Sequence, residues 1–415
     1  MTAHNLISIE EALAAILKSV PTLNQPPYES VPVAEALNRI TSHNITAPQN
    51  IPPFAASAMD GYAVNSEDHI FRDQPPFRLP IQGQSLAGHP YGTELIENCC
   101  IRITTGAVLP VRANAIVIQE DAELAAEHIE LSVTPRQNAH IRSIGQDVKI
   151  GQLVLPAGTQ MGALQLGWVS ACGLDKIEVK RKLKVAIFST GDELVTPGDK
   201  LSDGEIYDAN RLVLQQLTAP LPLDVEDLGI LPDDEEALTR VLEGAAKNSD
   251  LVLSSGGVSI GDADYVKEVV SGMGELEFWK IAIKPGKPIA FGKIGKAVFF
   301  GLPGNPVSAI VTYLLLVKPA LEKMCGKATH NAPLKVSAIL DRSLNHLKGR
   351  TEYQRATYRQ SSSGTELYVS VNEDQSSNRF ASFRNCNCLI ELSAEAGPPS
   401  AGDRVSILPL TGLLA

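Results

Sequence analysis

The sequence predicts a multidomain α/β protein: a doubly wound α/β domain, a small α/β linker domain, an inserted all-β module and a C-terminal β-barrel. Strand-like and helix-like segments alternate across residues 182–327, as they do in doubly wound sheets. Short runs of period two, separated by turn residues, fill residues 47–149 and return in residues 328–415. A length of 415 residues leaves room for several such units.

Composition narrows the class of protein. A net charge of −11 argues against a nucleic-acid-binding protein, which needs clustered Lys and Arg. None of the six cysteines has the paired spacing of a zinc site, and this scatter favours a reducing compartment. Residues 1–8 do not resemble a signal peptide, and the longest apolar stretch, 307–317, is too short to span a bilayer. We therefore expect a soluble, cytoplasmic protein without a membrane partner.

The N-terminal segment, residues 1–27, is predicted to be a helix that packs on the α/β domain. Amphipathic periodicity covers residues 6–19, with Ser8 as N-cap and Glu11 completing a capping box. Two separate segments, 28–46 and 150–181, are assigned to the linker domain. The second of them contains a helix at 163–171 that ends at Gly173, a natural C-terminal cap.

The two β units are predicted from alternating runs. In the inserted module, 47–149, strands are expected at 77–82, 99–105, 115–119, 128–133 and 140–144. In the C-terminal domain, 328–415, they are expected at 334–340, 352–358, 366–371, 388–392 and 405–409.

The α/β domain, 182–327, is predicted to alternate five strands with four helices. Strands are expected at 183–189, 223–231, 251–254, 276–283 and 297–301. Helices are expected at 210–217, 234–246, 265–270 and 307–325, the second with Asp233 as N-cap and Glu236 at its third position.

The third strand of this domain ends in the most informative turn of the chain. It runs into Ser254, Ser255, Gly256 and Gly257, and the acids Asp262 and Asp264 follow. Bare glycine backbone at the carboxyl end of a strand allows a phosphate to approach, and carboxylates beside it attract a cation. The turn therefore predicts a phosphate ester bound together with a divalent metal.

Three further strand ends carry glycine with polar or charged residues: 189–194, 284–288 and 301–308. Their convergence on one edge of the sheet predicts a binding site there. Lys284 and Lys287 would supply point charges for phosphate, unless they belong to a solvated loop. Acids predicted at strand ends or helix starts would suit Mg²⁺: Glu193, Asp233, Asp262 and Asp264. For Asp233, helix capping alone is an equally good explanation.

Other chemistries lack their signatures. The chain has no Gly-x-Ser-x-Gly and no histidine in its glycine-rich turns, so a Ser-His-Asp mechanism lacks its base. A Gly-x-Gly-x-x-Gly after a strand is also missing, which argues against a dinucleotide redox enzyme.

Eight motifs, in this order, resemble the molybdopterin molybdenumtransferase family of molybdenum cofactor synthesis, which is similar to the E domain of gephyrin. They are Pro52-Pro-Phe54 with Ser57-Ala-Met-Asp-Gly-Tyr-Ala-Val64, Arg102-Ile-Thr-Thr-Gly-Ala107, Gly145-Gln-Asp-Val148, Phe188-Ser-Thr-Gly-Asp-Glu-Leu194, Tyr207-Asp-Ala-Asn-Arg211, Ser254-Ser-Gly-Gly-Val-Ser259 with Gly261-Asp-Ala-Asp-Tyr265, Lys284-Pro-Gly-Lys-Pro288, and Gly301-Leu-Pro-Gly-Asn-Pro-Val-Ser308.

The resemblance implies that the α/β domain binds molybdopterin and that the protein joins molybdate to adenylylated molybdopterin, with Mg²⁺-dependent release of AMP. The catalytic residues it implies are Asp60, Thr105, Asp147, Glu193, Asp233 and Asp264, with Glu193 and Asp264 holding the metal. The residues it implies for binding are Ser255, Gly256, Gly257, Lys284, Lys287, Pro303, Gly304, Pro306 and Ser308. Arg355, Ser376 and His89 receive no role.

The resemblance also implies partners. It implies an elongated homodimer in which Asp60 and Asp147 enter the cleft from the second subunit. It also implies a molybdopterin adenylyltransferase and molybdoenzyme-maturation proteins as further partners. Two other functions stay open: a non-catalytic scaffold of the gephyrin type, which would not need the acids and lysines, and molybdopterin adenylyl transfer, which would consume ATP.

Overall fold

The computed structural model describes residues 6–22, 28–257, 265–328, 332–372 and 374–414. Within these ranges the chain forms an α/β unit, a curled β unit, a small unit built from two chain segments and a closed barrel near the C-terminus. Asp262 and Asp264 lie outside the described residues. The domain boundaries given above remain predictions.

The first helix, α1, spans Ile9–Ser19 and begins with the predicted capping box. The Ser8 hydroxyl accepts a hydrogen bond from the Glu11 amide at 3.1 Å, and the Glu11 carboxylate accepts one from the Ser8 amide at 2.9 Å. Apolar residues at helical spacing, Ile9, Ala12 and Ile16, are buried against the core of the α/β sheet.

The small unit joins two segments that are distant in sequence. Strand β1 (Tyr28–Pro32) pairs antiparallel with β12 (Lys176–Lys180), and β2 (Ile45–Thr46) pairs with β11 (Leu153–Leu155). Helix α2 (Ala163–Ala171) packs beside them and ends, as predicted, before Gly173, whose φ is +84°. The two segments share one apolar core.

The curled β unit is a sheet of six strands in the order β7-β4-β6-β5-β9-β8. These strands are β4 (Gly61–Val64), β5 (Phe77–Ser85), β6 (Cys100–Ile103), β7 (Ala115–Ile118), β8 (Ala122–Ala125) and β9 (His128–Leu131). A separate pair, β3 (Ala56–Ser57) with β10 (Ile141–Arg142), lies outside this sheet. Side chains on the two faces of the curled sheet form two cores.

The α/β unit is organised by a sheet in the order β16-β13-β17-β21-β20-β18. Its strands are β13 (Leu183–Thr190), β16 (Leu223–Leu231), β17 (Leu251–Ser255), β18 (Gly274–Lys280), β20 (Pro288–Ile294) and β21 (Ala297–Leu302). The pairings β16–β13–β17–β21 are parallel, as expected for a doubly wound sheet. Two short strands, β14 (Leu194–Val195) and β15 (Ile206–Tyr207), pair beside it.

Helices cover both faces of this sheet. Helix α3 (Asn210–Thr218) lies on the face that also receives α1, and α4 (Glu235–Asn248) with α5 (Tyr265–Met273) covers the other. The predicted helix at 307–325 is α6 (Pro306–Thr312), a π-helical turn (Tyr313–Val317) and α7 (Lys318–Met324). Each face therefore buries its own apolar core.

One edge of the sheet differs from the sequence expectation. Strand β20 was not predicted, and it runs antiparallel to both β18 and β21. It forms a hairpin with β21 through Gly295, whose φ is +56°. Because β18 then runs in the same direction as β21, the segment after β18 still lies at the carboxyl edge of the parallel strands.

The C-terminal unit is a closed barrel of five strands, in which β23 pairs with β24 and β25 and closes the ring through β22 and β26. The strands are β22 (Val336–Leu340), β23 (Thr351–Gln360), β24 (Leu367–Val371), β25 (Cys388–Leu392) and β26 (Arg404–Pro409), followed by α8 (Leu410–Leu414). Strand β19 (Ile283–Lys284), from the α/β unit, pairs with β23. Among the described residues, no helix has the length and apolar character needed to cross a membrane.

Candidate active site

The predicted convergence of strand ends occurs at the carboxyl edge of β13, β17 and β21. Ser189 is in register with Ser255, and Ser255 with Leu302. After β17 the chain turns through Gly256 (φ +91°) and Gly257 (φ +69°). A Cβ on Gly256 would come within 2.6 Å of the Thr190 carbonyl oxygen, so this turn requires glycine.

Asn210, a residue without an assigned role, connects two of the predicted binding turns. It is the first residue of α3, and its side-chain amide donates to the Ser255 hydroxyl at 2.9 Å and to the Gly304 carbonyl at 2.7 Å. Arg211 braces this helix start through ion pairs with Asp208 at 2.9 Å and Asp227 at 2.5 Å. The sequence signal that could have pointed to Asn210 is the Asp-Ala-Asn-Arg pattern of residues 208–211 at the start of a predicted helix.

The structure corrects the capping interpretation of Asp233. The N-cap of α4 is Asp234, whose carboxylate accepts from the Ala237 amide at 2.7 Å. Asp233 instead accepts a hydrogen bond from the hydroxyl of the buried Thr190, at the carboxyl end of β13. Asp233 is therefore not a helix cap, and its carboxylate lies at the carboxyl edge of β13.

The metal assignment concerns Glu193 and Asp264. Glu193 follows β13 and is exposed. Its carboxylate lies so close to Gly191 that a Cβ added at Gly191 would be 2.6 Å from a carboxylate oxygen. Asp264 lies outside the described residues. In the part of the chain that the structure describes, no group of three or more His, Cys, Asp and Glu side chains is arranged to hold a metal ion. A metal site at Glu193 and Asp264 therefore remains a prediction.

The lysine loop lies between β18 and β20. Both lysines of this loop are exposed, and the Lys284 ammonium forms an ion pair with Glu352 of the barrel at 2.8 Å. Gly286 has a φ of +110°, and a Cβ there would come within 2.6 Å of the Thr312 hydroxyl. The loop is therefore pressed against α6, and one of its two lysines already has a carboxylate partner.

The proline-containing turn after β21 leads into α6. Pro306 occupies the first turn of the helix, where a missing N–H costs nothing, and Ser308 is buried. The Val307 amide donates to the Ser377 carbonyl at 3.1 Å. The segment around Ser377 is itself held by the buried Arg355 guanidinium, which donates to the Ser376 carbonyl at 3.1 Å. The barrel thus packs against two of the site loops.

In the curled β unit, Asp60 and Thr105 are in direct contact. One carboxylate oxygen of Asp60 accepts from the Thr105 amide at 2.6 Å and from its hydroxyl at 2.8 Å. Both hydrogen bonds lower the pKa of Asp60 below its usual value, and the bond from the Thr105 amide has the larger effect. Both side chains are exposed.

Asp147 lies on a neighbouring loop of the same part of the chain. The Gly145 amide donates to the Pro52 carbonyl and the Asp147 amide to the Ile51 carbonyl, both at 2.9 Å. The Asp147 side chain is exposed. The hydrogen bonds described for Asp60, Thr105 and Asp147 stay within residues 47–149.

Fold and site together define a multidomain α/β protein in which a C-terminal barrel packs beside the glycine-rich carboxyl edge of a parallel sheet. Three family descriptions match consecutive parts of the chain: the MoeA N-terminal region (domain I and II) at 7–173, a probable molybdopterin binding domain at 186–323 and the MoeA C-terminal region (domain IV) at 337–410.

Known proteins match the chain over its length. It is 41% identical to the molybdopterin molybdenumtransferase of Haemophilus influenzae, over 99% of this chain and 100% of that protein. It is 30% identical to gephyrin of Dictyostelium discoideum, over 98% of this chain and 62% of gephyrin. The crystal structure of the molybdopterin biosynthesis moeA protein from Pyrococcus horikoshii OT3 matches with a TM-score of 0.83 and 30% identity, covering 98% of this chain and 100% of that one. The chain belongs to the molybdopterin molybdenumtransferase family.

Proposed function

We propose that the protein transfers molybdenum from molybdate to adenylylated molybdopterin, releasing AMP in a Mg²⁺-dependent reaction that yields the molybdenum cofactor in the cytoplasm. The observation that carries this proposal is the edge where β13, β17 and β21 end. Bare glycine backbone lies there, and the Asn210 amide joins two of its turns. The loop that carries Lys284 and Lys287 follows β18 on the same edge of an otherwise acidic chain. Such an edge suits a phosphorylated ligand. Membership of the family supports molybdopterin as that ligand.

The binding roles follow from what each loop offers. Gly256 and Gly257 would face the phosphates, where close backbone approach matters. Ser255 is buried and accepts from the Asn210 amide, so its proposed part is to hold this turn. Lys284 and Lys287 would reduce the repulsion between two anionic substrates. The remaining members of the proposed binding set form the turn into α6: Pro303, Gly304, Pro306 and Ser308. Ser308 is buried, so its proposed part is in shaping that turn rather than in ligand contact.

We propose that carboxylates at this edge supply ligands for a magnesium ion. Mg²⁺ takes oxygen ligands and uses one or two carboxylates with phosphate oxygens and water. Glu193 is exposed after β13, and Asp233 lies beside Thr190 at the end of the same strand. We propose that Glu193, together with Asp264, holds the ion. When bound, Mg²⁺ would neutralise charge on the phosphate oxygens.

Asp60, Thr105 and Asp147 belong to a different module, and we propose that they complete the cleft from a second copy of the chain in a homodimer. Because its pKa is lowered, Asp60 would stay ionised and be a weak base, so its proposed part is to orient cations or protonated groups close to molybdate. We further propose a molybdopterin adenylyltransferase as the supplier of the substrate and molybdoenzyme-maturation proteins as recipients of the product.

The test is direct. Purified protein is given adenylylated molybdopterin, molybdate and Mg²⁺, and AMP is quantified. Release that needs both molybdate and Mg²⁺ supports the proposal, whereas intact substrate after prolonged incubation contradicts it. Consumption of ATP with unmodified molybdopterin would instead identify adenylyl transfer.

A further inference from the structure

Lys284 is attached to the C-terminal barrel through both its backbone and its side chain. Strand β19 pairs parallel with β23 so that Lys284 is opposite Glu352. The Lys284 Nζ lies 2.8 Å from the Glu352 Oε1. The lysine side chain is 50% exposed, whereas the glutamate side chain is only 6% exposed. The ammonium is thus half exposed to solvent, and its counter-ion is buried.

His346 fixes the other oxygen of the same carboxylate. Its Nδ1 lies 3.1 Å from the Glu352 Oε2, and its Nε2 lies 2.9 Å from the Ser393 carbonyl oxygen. The Ser393 carbonyl oxygen and the Glu352 carboxylate both only accept hydrogen bonds, so these two contacts need a proton on each ring nitrogen. The His346 side chain is completely buried. Glu352 is therefore held at both oxygens and cannot turn away when a ligand approaches Lys284.

Glu352 carries its negative charge in the folded protein. Burial acts to raise its pKa, but hydrogen bonds from Lys284 and His346 and the charge of Lys284 outweigh burial, and the pKa is lowered below its usual value. A buried acid in this state cancels part of the charge of the lysine in front of it. An anion that arrives at Lys284 is attracted by the ammonium and repelled by the carboxylate.

We propose that Glu352 is a positioning residue that shares the Lys284 ammonium with a bound tetrahedral oxyanion, keeping the lysine in place while weakening its hold on that anion. This inference rests on the proposed function in one respect, namely that Lys284 contacts an anionic substrate. Molybdate and the phosphate of the adenylylated pterin share this chemistry. A shared lysine suits a group-transfer site, because an anion that is bound too tightly would not be passed on.

The test is a double-mutant cycle of anion affinity. Calorimetric titrations with sodium molybdate, and separately with AMP, compare the unchanged protein with Glu352→Gln, Lys284→Gln and the double variant. Glutamine keeps the size of the side chain and can still accept from Lys284. We expect Glu352→Gln to strengthen binding of one of the two anions about fivefold, the scale of an ion pair at a half-exposed site. Lys284→Gln should weaken binding of the same anion, and the gain should disappear in the double variant.

Glu366→Gln is the matched control. It removes the same charge from the barrel, where Glu366 pairs with Arg404 at 3.0 Å, and should leave both affinities unchanged. If Glu352→Gln does not fold, Glu352→Asp retracts the carboxylate by one methylene and should give a smaller gain in the same direction.

Two outcomes overturn the inference, and they are distinct. If Lys284→Gln weakens anion binding but neither Glu352 variant strengthens it, Glu352 does not share the lysine. If Lys284→Gln changes neither affinity, Lys284 is not an anion contact and this part of the proposed function fails as well. The mutant cycle could also show the expected coupling between Glu352 and Lys284 in a protein that releases no AMP. That result would support the inference and contradict the proposed reaction.

Discussion

Asp60 accepts two hydrogen bonds from Thr105, one from its amide at 2.6 Å and one from its hydroxyl at 2.8 Å. The two residues are far apart in sequence and both are exposed, so this contact is not needed to fill a core. It holds one carboxylate in a fixed direction and favours its ionised form. An exposed acid that is oriented in this way has the properties of a functional group.

The first prediction concerns Thr105→Val, which removes the hydroxyl bond and leaves the amide bond. Because the pKa of Asp60 is lowered, the carboxylate stays ionised at pH values below its usual pKa, and the ionised form is lost only as the pH falls through the lowered pKa. The variant should therefore lose activity at a higher pH on the acid side, and activity at neutral pH should fall about two- to tenfold. The pH profile of AMP release measures both effects. An unchanged acid limb would show that the hydroxyl bond does not tune Asp60.

The second prediction concerns Asn210→Ala. The change leaves the buried Ser255 hydroxyl and the Gly304 carbonyl without their shared donor. The free energy of unfolding should fall by about 1–3 kcal/mol, and substrate affinity should fall with it because both turns belong to the proposed site. Gln216→Ala, at an exposed position of α3, is the control and should change stability by less than about 0.5 kcal/mol. Equal activity of the two variants would remove Asn210 from the site.

Local patterns in the sequence were sufficient for much of the fold. The bounds of β16 and β25 agree with the runs predicted at 223–231 and 388–392, and the Ser8–Glu11 capping box is present. Periodicity and capping patterns each involve only a few neighbouring residues, so they can be recognised in a single sequence. The convergence of strand ends followed from the parallel order of the sheet.

Contacts between distant segments were not accessible in this way. Strand β20 was missed because it follows a loop rich in proline and glycine and contains Gly292 and Lys293. The ion pair of Lys284 with Glu352 joins two units of the chain, and periodicity does not encode such a pairing. Asp233 was assigned as a cap because Asp233 and Asp234 both precede a helix, and the choice between them depends on backbone angles.

The third prediction concerns Gly256→Ala. The residue has a φ of +91°, and the new Cβ would collide with the Thr190 carbonyl oxygen at 2.6 Å. We expect a loss of about 1–3 kcal/mol in the free energy of unfolding, together with loss of AMP release, since the turn cannot keep its path. Gly244→Ala, inside α4 with open space around it, should instead stabilise the protein by about 0.5–1 kcal/mol. Denaturant unfolding compares them, and similar effects of the two changes would contradict the assigned constraint.

The fourth prediction separates two adjacent acids. Asp234→Ala removes the N-cap of α4 and should lower the free energy of unfolding by about 0.5–2 kcal/mol while AMP release at permissive temperature persists. Asp233→Asn keeps the size of the side chain beside Thr190 and leaves the cap intact, so stability should hold while AMP release falls about tenfold or more. Thermal unfolding and AMP release, measured on both variants, give the comparison. Full activity in Asp233→Asn would mean that this carboxylate only accepts the Thr190 hydrogen bond, a role that asparagine can also fill.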